Sequence, residues 1–280
     1  LIDPRDGRQL QTLNSARQRH FYGHAVFHKD GEWLYATEND TSDPGRGVLG
    51  VYRLQGEQLL RSSELSTHGI GPHQLLWLPD GERLVVANGG IPTQSETGRR
   101  KLQLDHMDSS IARLLPAEGG ALAGLWKLDD SRLSLRHLAW GPQVAHAPAR
   151  RWLGIALQAE HRETEARAAA PVLALFDGHR LHAVPLPEGR EPLAGYGGDI
   201  GCDGQLFAVS CPRVNTVTWW QVPGNGQASG RWLRGDAMPG VYCVANASVS
   251  LDANGRPLPA EPALWMGGAR QAQLRQRGQV

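Results

Sequence analysis

The chain has 280 residues, with 29 lysines and arginines against 28 aspartates and glutamates, and 40% of its residues are hydrophobic. The formal net charge of +1 gives no electrostatic case for binding nucleic acid or an anionic membrane. No apolar run approaches the roughly 18 residues of a membrane-spanning helix, so the composition predicts a globular chain with a sizeable core and no membrane span.

The N-terminal segment predicts the second half of a hairpin. Residues 1–3 lead into a turn at 4–7, and residues 8–13 continue as a strand. We therefore expect the first strand of this unit to begin before the chain does, and the first unit to be incomplete.

The segments that follow form an internal repeat. Residues 24–39 and 73–88 each contain a histidine, an apolar strand, an Asp-Gly turn, a second apolar strand and an asparagine 15 residues after the histidine. Asp-Gly between apolar runs favours the positive-φ turns of β-hairpins. Each segment therefore predicts a hairpin whose histidine and asparagine lie together at the end opposite the turn, His24 with Asn39 and His73 with Asn88.

Later segments repeat the pattern more loosely. A third copy begins at His137, a fourth (198–210) keeps the Asp-Gly turn without a histidine, and a fifth begins near Gly240, before a turn at 252–255. Further strand pairs lie between the hairpins, so the unit is four short strands, and the histidines are 49 and then 64 residues apart. Segment 96–110 has the polarity for a turn of helix, and segment 159–170 is interpreted as a surface insertion.

Four-stranded units at this period predict a β-propeller, in which each sheet is a blade around a central channel. A β-sandwich is the alternative, but it gives no reason for the histidine-to-asparagine register to recur. We therefore predict an all-β fold, a single β-propeller domain over residues 1–280, with six or seven blades in the intact protein and a truncated first blade.

The recurring histidines are the main candidate site. Rotation about a propeller axis brings equivalent positions together, so His24, His73 and His137 are predicted to converge at the mouth of the channel. Three neutral imidazoles, with Glu38 or Asp199 nearby, suit a transition metal that keeps an open coordination position, namely iron, copper or zinc. The alternative is that each histidine hydrogen-bonds within its own blade and has a structural role only.

Four other side chains near these histidines are candidate ligand-binding residues. The amides of Asn39 and Asn88 leave the second strand of each hairpin, although Asn88 is also consistent with turn geometry. Arg19 and Arg136 precede the segments that enter a blade and are suited to an anionic ligand, with an ion pair as the alternative for both.

Catalytic motifs do not decide the function. The sequence contains no His-Glu-x-x-His, no Gly-x-Ser-x-Gly and no phosphate-binding loop. The glycine pattern over residues 45–50 leads into a strand instead of a helix, which predicts a loop. Cys202, Cys211 and Cys243 include no Cys-x-x-Cys pair, and the sequence leaves open whether two of them form a disulfide. No catalytic residue is assigned.

Five segments resemble a family of bacterial proteins, DUF1513. They are Arg-His-Phe-Tyr-Gly-His (19–24), Leu-Tyr-Ala-Thr-Glu-Asn-Asp (34–40), Thr-His-Gly-Ile-Gly-Pro-His (67–73), Val-Val-Ala-Asn-Gly-Gly-Ile (85–91) and Leu-Ser-Leu-Arg-His-Leu (133–138). The resemblance covers residues 1 to about 250, is strong through residue 138, and weakens where this chain carries its Arg- and Ala-rich insertion.

The resemblance implies more than the residues do. It implies a YVTN-type propeller that is exported by a twin-arginine signal to the periplasm. It also implies a part in iron or other metal acquisition beside imelysin-like iron-uptake proteins, which would be its partners. The family has no established reaction, so it assigns no catalytic residues.

Three functions are compatible with these observations. The first is a periplasmic protein that binds a metal, a ligand or a protein partner at the histidine-lined channel mouth. The second is an enzyme of the lactonase or quinoprotein type that uses the same axial site. The third is an interaction scaffold whose histidines are structural.

Overall fold

The computed structural model describes residues 1–93, 103–145, 147–223, 229–246, 263–269 and 271–276. The chain divides into two compact units, Leu1–Arg136 and His137–Val280. The single domain over residues 1–280 stays a prediction.

The first unit contains two antiparallel four-stranded sheets whose strands follow one another in the order of the chain. The first sheet consists of β1 (Arg19–Phe27), β2 (Trp33–Asp40), β3 (Gly47–Gln55) and β4 (Gln58–Ser66). The second consists of β5 (Pro72–Trp77), β6 (Leu84–Asn88), β7 (Ser110–Leu115) and β8 (Ala121–Trp126), with 3-10 turns at Leu104–His106 and Pro116–Glu118.

The second unit contains three further antiparallel sheets. They consist of β9 (Leu133–Val144), β10 (Ala147–Ala159), β11 (Leu173–Phe176) and β12 (Leu181–Ala183); of β13 (Ile200–Cys202), β14 (Leu206–Cys211), β15 (Thr216–Gln221) and β16 (Arg231–Ala237); and of β17 (Val241–Asn246), β18 (Ala263–Gly268) and β19 (Ala272–Gln276). Strand β9 begins in the first unit, because the division between the units lies directly before His137.

Helix is scarce in the described residues, as predicted. The short helix α1 (Thr164–Ala169) lies in the predicted surface insertion, and a 3-10 turn occupies Pro212–Val214. In the described part of the chain, no helix has the length and hydrophobicity needed to cross a bilayer. The all-β prediction is confirmed as five sheets of three or four strands, whereas the number of blades and the truncation of the first one stay predictions.

The Asp-Gly turns form the predicted hairpin connections. Gly31 and Gly81 have φ angles of 75° and 68°, in the left-handed region where a side chain is disfavoured. The carboxylates of Asp30 and Asp80 each accept the N–H two residues further on, both at 2.8 Å. The turns are therefore closed by local interactions. The predicted fifth turn, at 252–255, lies outside the described residues.

The cores form because successive sheets within each unit pack against each other. In the first unit, one buried cluster joins Leu49 and Val51 of the first sheet to Leu84 and Val86 of the second. In the second unit, Trp219 belongs to a similar cluster with residues of β17 and β18. Strands that are buried on both faces are rich in valine, leucine and alanine, and they therefore appear in the sequence as continuous apolar runs.

The three cysteines are free thiols, which answers the question that the sequence left open. Burial raises the pKa of the Cys202 and Cys211 thiols to about 12. Both are therefore protonated at neutral pH and serve as small core side chains.

Candidate metal centre

His24 and His73 both lie in bulges of the first strand of their sheets. In the first sheet, Phe21 is opposite Glu38 and Ala25 is opposite Ala36, so the three residues between them face Thr37 alone. In the second sheet, Pro72 is opposite Asn88 and Leu75 is opposite Val86, so the two residues between them face Ala87 alone. A bulge changes the direction of a side chain relative to the regular strand, and here it sets the direction of both histidines.

The bulges correct the predicted pairing of histidine with asparagine. Asn39 lies opposite His20, not His24, and Asn88 lies opposite Pro72. The prediction assumed a regular hairpin, whereas the bulge takes His24 out of the ladder. Gly23 makes this possible at a φ of 109°, a conformation that is open to glycine.

The two bulges bring the imidazoles of His24 and His73 together. Their ring centroids are 4.9 Å apart, with an angle of 62° between the planes. Thr37, which is fully buried, lies between the two backbones. Its Oγ1 is 3.1 Å from the carbonyl oxygen of His24 and 3.2 Å from that of His73, and it accepts the N–H of His24 at 3.3 Å. One hydroxyl therefore ties the two bulges to each other.

His137 is oriented by a carboxylate. Its Nδ1 lies 3.1 Å from Oδ1 of Asp199. Asp199 is itself held in place, because Oδ1 accepts the N–H of Ile200 and Oδ2 accepts the N–H of Val244, both at 2.9 Å. A carboxylate on one ring nitrogen fixes the tautomer and leaves Nε2 as the ligand atom, which is the common arrangement around metal-binding histidines.

The three histidines form one group of possible metal ligands. One nitrogen from each of His24, His73 and His137 lies within 4.8 Å of the others, and all three residues are partly buried. His137 directly follows the last residue of the first unit in the chain. Three imidazoles bound to one tetrahedral zinc have nitrogens roughly 3.4 Å apart, so closure on a metal requires movements of about 1 Å, within the reach of side-chain rotation.

The whole sequence, residues 1–280, matches a family model that is described as a protein of unknown function, DUF1513. The chain belongs to the DUF1513 family. The resemblance seen in the sequence is thereby confirmed. The comparison with curated proteins found no match.

Solved structures show the same fold for this DUF1513 chain at low sequence identity. Hydrazine synthase from Kuenenia stuttgartiensis is 12% identical with a TM-score of 0.58, over 91% of this chain and 71% of that one. A periplasmic gluconolactonase from Pseudomonas aeruginosa is 17% identical with a TM-score of 0.53, over 98% and 76% of the two chains. A glucose-dehydrogenase-like oxidoreductase from Thermus thermophilus is 18% identical with a TM-score of 0.51, over 92% and 79%. These likenesses support a propeller-like fold.

Glu38 does not lie beside the histidines. Its carboxylate accepts hydrogen bonds from Tyr52 Oη at 2.5 Å and from Arg61 at 2.7 Å, and the residue is 1% exposed. Alternate side chains of a strand point to opposite faces, so Thr37 faces the histidines and Glu38 faces away. Of the two carboxylates predicted near the site, only Asp199 contacts one of its histidines.

Arg19 forms ion pairs within the first sheet. It lies 2.9 Å from Glu64 and 3.2 Å from Asp40. The hydrogen bonds from Arg19, opposed by burial, hold the pKa of Glu64 at about 2. For Asp40, burial acts to raise the pKa, but the hydrogen bonds from Ser42 and Arg46 outweigh it and bring the value to about 2. Arg19 therefore forms the ion pairs that were the alternative to ligand binding. A ligand-binding role for Arg19 stays a prediction.

The two asparagines differ in their surroundings. Asn88 is fully buried and donates to the carbonyl of Thr67 at 3.2 Å and to Ser110 Oγ at 3.1 Å. Asn39 donates to Thr93 Oγ1 at 3.0 Å, and the hydroxyl of Tyr22 lies 3.3 Å from the same atom. Asn88 therefore holds the loop that precedes His73, while Asn39 belongs to a polar chain with Tyr22, whose ring lies 6.1 Å from that of His73. Ligand binding by either stays a prediction.

Arg136 is the candidate ligand-binding residue with the fewest internal contacts. Its Nε is buried, and no described residue hydrogen-bonds to that atom. The guanidinium lies against Gly89, where an added Cβ would come within 3.3 Å of Nη1. Arg136 directly precedes His137 on β9, where successive side chains point to opposite faces, so its place in the strand does not by itself bring the guanidinium to the histidines. Ligand binding by Arg136 therefore stays a prediction.

Sequence reasoning missed Thr37. The repeat could not find it, because the corresponding position in the second hairpin is Val86. The signal that was present is that Thr37 is the first polar residue after the apolar half of β2, one position before Glu38. A cavity of about 270 Å³ also reaches His24 beside Phe21, Leu34 and Tyr52, which the repeat did not indicate.

Proposed function

We propose that this protein binds one transition-metal ion through His24, His73 and His137 and keeps a coordination position open for a ligand. The observation that carries the proposal is the approach of one nitrogen from each histidine to within 4.8 Å of the others. Neutral imidazoles favour zinc, copper or iron over magnesium or calcium, which prefer oxygen.

Two structural features favour binding over a purely structural role. Asp199 hydrogen-bonds Nδ1 of His137 and thereby directs Nε2 outward as a ligand atom. Thr37 connects the backbones that carry the other two histidines. Both arrangements preorganise the histidines and so lower the entropic cost of bringing the ligands together on a metal.

The chemistry of the site follows from its donors. Three imidazoles leave a fourth position of a tetrahedral ion free, and a bound metal supplies Lewis acidity there. Arg136, with its buried Nε, supplies a cation for an anionic ligand close in the chain to His137. A metal-bound carboxylate is therefore the kind of ligand that this proposal favours.

The biological setting is part of the same proposal. The family resemblance supports a periplasmic location and a role in iron or other metal acquisition, with imelysin-like proteins as partners. We keep these as predictions that localisation and co-purification experiments can test directly.

Metal analysis tests the proposal. Untagged protein purified without chelator should titrate with one equivalent of zinc or copper, and His24→Ala, His73→Ala and His137→Ala should each lower the affinity at least a hundredfold. The matched control is His20→Ala, an exposed histidine of the same strand as His24. Wild-type protein that binds no metal, or a control that loses as much affinity as the three variants, would refute the proposal and favour the scaffold.

Lactone hydrolysis is a second candidate function. It is favoured by the open three-histidine site and by the fold shared with a periplasmic gluconolactonase. In this reaction water attacks the ring carbonyl, the ring C–O bond breaks, and a hydroxy acid is released. Metal-loaded protein should then hydrolyse gluconolactone, and His73→Ala should not. Metal binding without turnover would contradict lactone hydrolysis and leave metal binding as the proposed function.

A further inference from the structure

A second cavity, of about 500 Å³, lies within the first unit beside the Asp-Gly turns of the first two hairpins. Its lining includes Asp30 from the first turn and Glu82, next to the second. The aromatic side chains of Trp33, Tyr35 and Trp77 also line it. The proposed metal function makes no use of this cavity.

The aromatic rings form walls at steep angles to one another. The ring of Trp77 lies 5.3 Å from that of Tyr35 at an angle of 86°, and 4.8 Å from that of His28 at 63°. Its Nε1 donates to the carbonyl of Phe27 at 2.7 Å, which fixes the indole in place. Rings at such angles enclose a compact group from several sides, instead of offering one flat face for stacking, and aromatic faces attract cations.

The ring nitrogens of His28 and the guanidinium of Arg83, which line this cavity, contact other groups of the protein. Nδ1 of His28 lies 2.7 Å from Asp30, and its Nε2 lies 3.2 Å from the carbonyl of Gly81. Arg83 is paired with Asp80 at 2.6 Å. A sugar needs donors as well as acceptors from its site, whereas an organic cation needs only acceptors and apolar walls. The contacts of His28 and Arg83 within the protein therefore favour a cation over a sugar.

The charge of the lining points the same way. Glu82 and Glu118 contribute carboxylates, Asp30 contributes a third that contacts His28, and Arg83 is paired with Asp80. Among the described residues, Glu82 and Glu118 have no ion-pair partner. The hydrogen bond from the backbone of Glu32 lowers the pKa of Asp30, so this carboxylate is ionised at neutral pH. The cavity thus combines aromatic walls with an excess of negative charge.

We propose that this cavity binds an organic ammonium ion, with the aromatic rings around its apolar groups and the carboxylates of Glu82 and Glu118 facing its charge. The inference is independent of the metal centre, which is formed by other residues.

Choline and its neutral analogue, the dimethylbutanol in which carbon replaces nitrogen, test the charge requirement on the full chain. Calorimetric titration should show one saturable choline site, with the alcohol bound at least tenfold more weakly. The Glu82→Gln/Glu118→Gln double variant should weaken choline binding severalfold and leave the alcohol unaffected. The matched control, Glu57→Gln, removes one exposed carboxylate outside the lining and should change neither.

The aromatic walls are tested by Trp77→Leu, which should abolish choline binding while its far-UV circular dichroism matches the wild type. If this variant does not fold, the glutamine variants still decide the matter, because they alter exposed side chains. Equal affinity for the alcohol, tighter binding of glucose than of choline, or no saturable choline binding would each overturn the proposal.

Discussion

The two ends of the β1–β2 and β5–β6 hairpins are held by different kinds of interaction. At the turn end, Asp30 and Asp80 bind backbone groups two residues away. At the histidine end, Thr37 binds the carbonyl of His73, and Asn88 binds that of Thr67. Each turn is closed by these local hydrogen bonds, although Trp77 Nε1 also joins the two hairpins there by donating to the carbonyl of Phe27. The contacts of Thr37 and Asn88 at the histidine end, by contrast, all join residues that are distant in sequence. Substitutions at the histidine end should therefore affect both stability and metal binding.

Asn88→Ala should have the largest effect on stability. It removes two buried hydrogen bonds and leaves the carbonyl of Thr67 and the hydroxyl of Ser110 without this donor, so we expect a loss of about 2–3 kcal/mol. Urea unfolding measures it, and metal titration should show weaker binding because the loop before His73 is released. Wild-type stability in this variant would show that the histidine end is not held in this way.

Asp199→Asn should lower metal affinity by roughly 10–100-fold, as loss of the carboxylate partner of a ligating histidine does. The amide can still accept a hydrogen bond from the backbone of Ile200 or Val244, so the unfolding free energy should change much less. Calorimetric titration with zinc or copper measures the affinity. Unaltered affinity would mean that Asp199 does not orient His137 for a metal.

The ion pairs of Glu64 predict loss of stability in acid. Its pKa is about 2 in the folded protein, below the usual carboxyl value. A depressed folded pKa stabilises the fold above the unfolded value, and the contribution disappears as the pH falls from about 5 to 2. Glu64→Gln should cost about 1–2 kcal/mol at pH 7 and flatten the pH dependence. Urea unfolding at pH 7 and pH 3 tests this, with Glu57→Gln as control.

Thr37→Val tests whether the hydroxyl of Thr37, and not the volume of its side chain, positions the two histidines. It keeps the side-chain shape and removes the hydroxyl that joins the two bulges, so we expect a loss of about 1–2 kcal/mol and severalfold weaker metal binding. Thr37→Ser should restore both. If serine does not rescue the affinity, the hydroxyl is not what positions the histidines.

Asp80→Ala should have the smallest effect of these variants, because it changes the turn end of a hairpin and not the histidine end. It removes the local hydrogen bonds of one turn and should cost about 1 kcal/mol, while metal affinity stays at the wild-type value. A change in metal affinity here would contradict the separation of the two ends.

The hairpins were predictable because their signals are local. Asp-Gly at residues 30–31, 80–81 and 203–204 specifies positive φ and a hydrogen-bonded turn whatever surrounds it. The predicted hairpins are confirmed as β1 with β2 and β5 with β6, although β1 begins at Arg19, five residues before His24. The convergence of the histidines was also predictable, since a repeat places equivalent positions alike.

The details of the metal site were harder to predict from the sequence. The bulge at residues 22–24 changed the register, so that Asn39 came opposite His20. Glu38 faces away from the histidines because successive side chains of β2 point to opposite faces, and Thr37 takes the face beside them. The partners of Arg19 on β2 and β4, at Asp40 and Glu64, depend on strand pairing that no local pattern specifies.

The four-strand repeat, its turns, the all-β class and the histidines that recur at the start of the units can be predicted from the sequence, because they follow from backbone preferences and periodicity over a few residues. The three-dimensional fold was needed to show which polar side chains contact the histidines, which ones form structural contacts instead, and where the aromatic cavity lies. Those outcomes depend on bulges, strand register and packing between sheets, which join residues tens of positions apart and leave no trace in the local pattern.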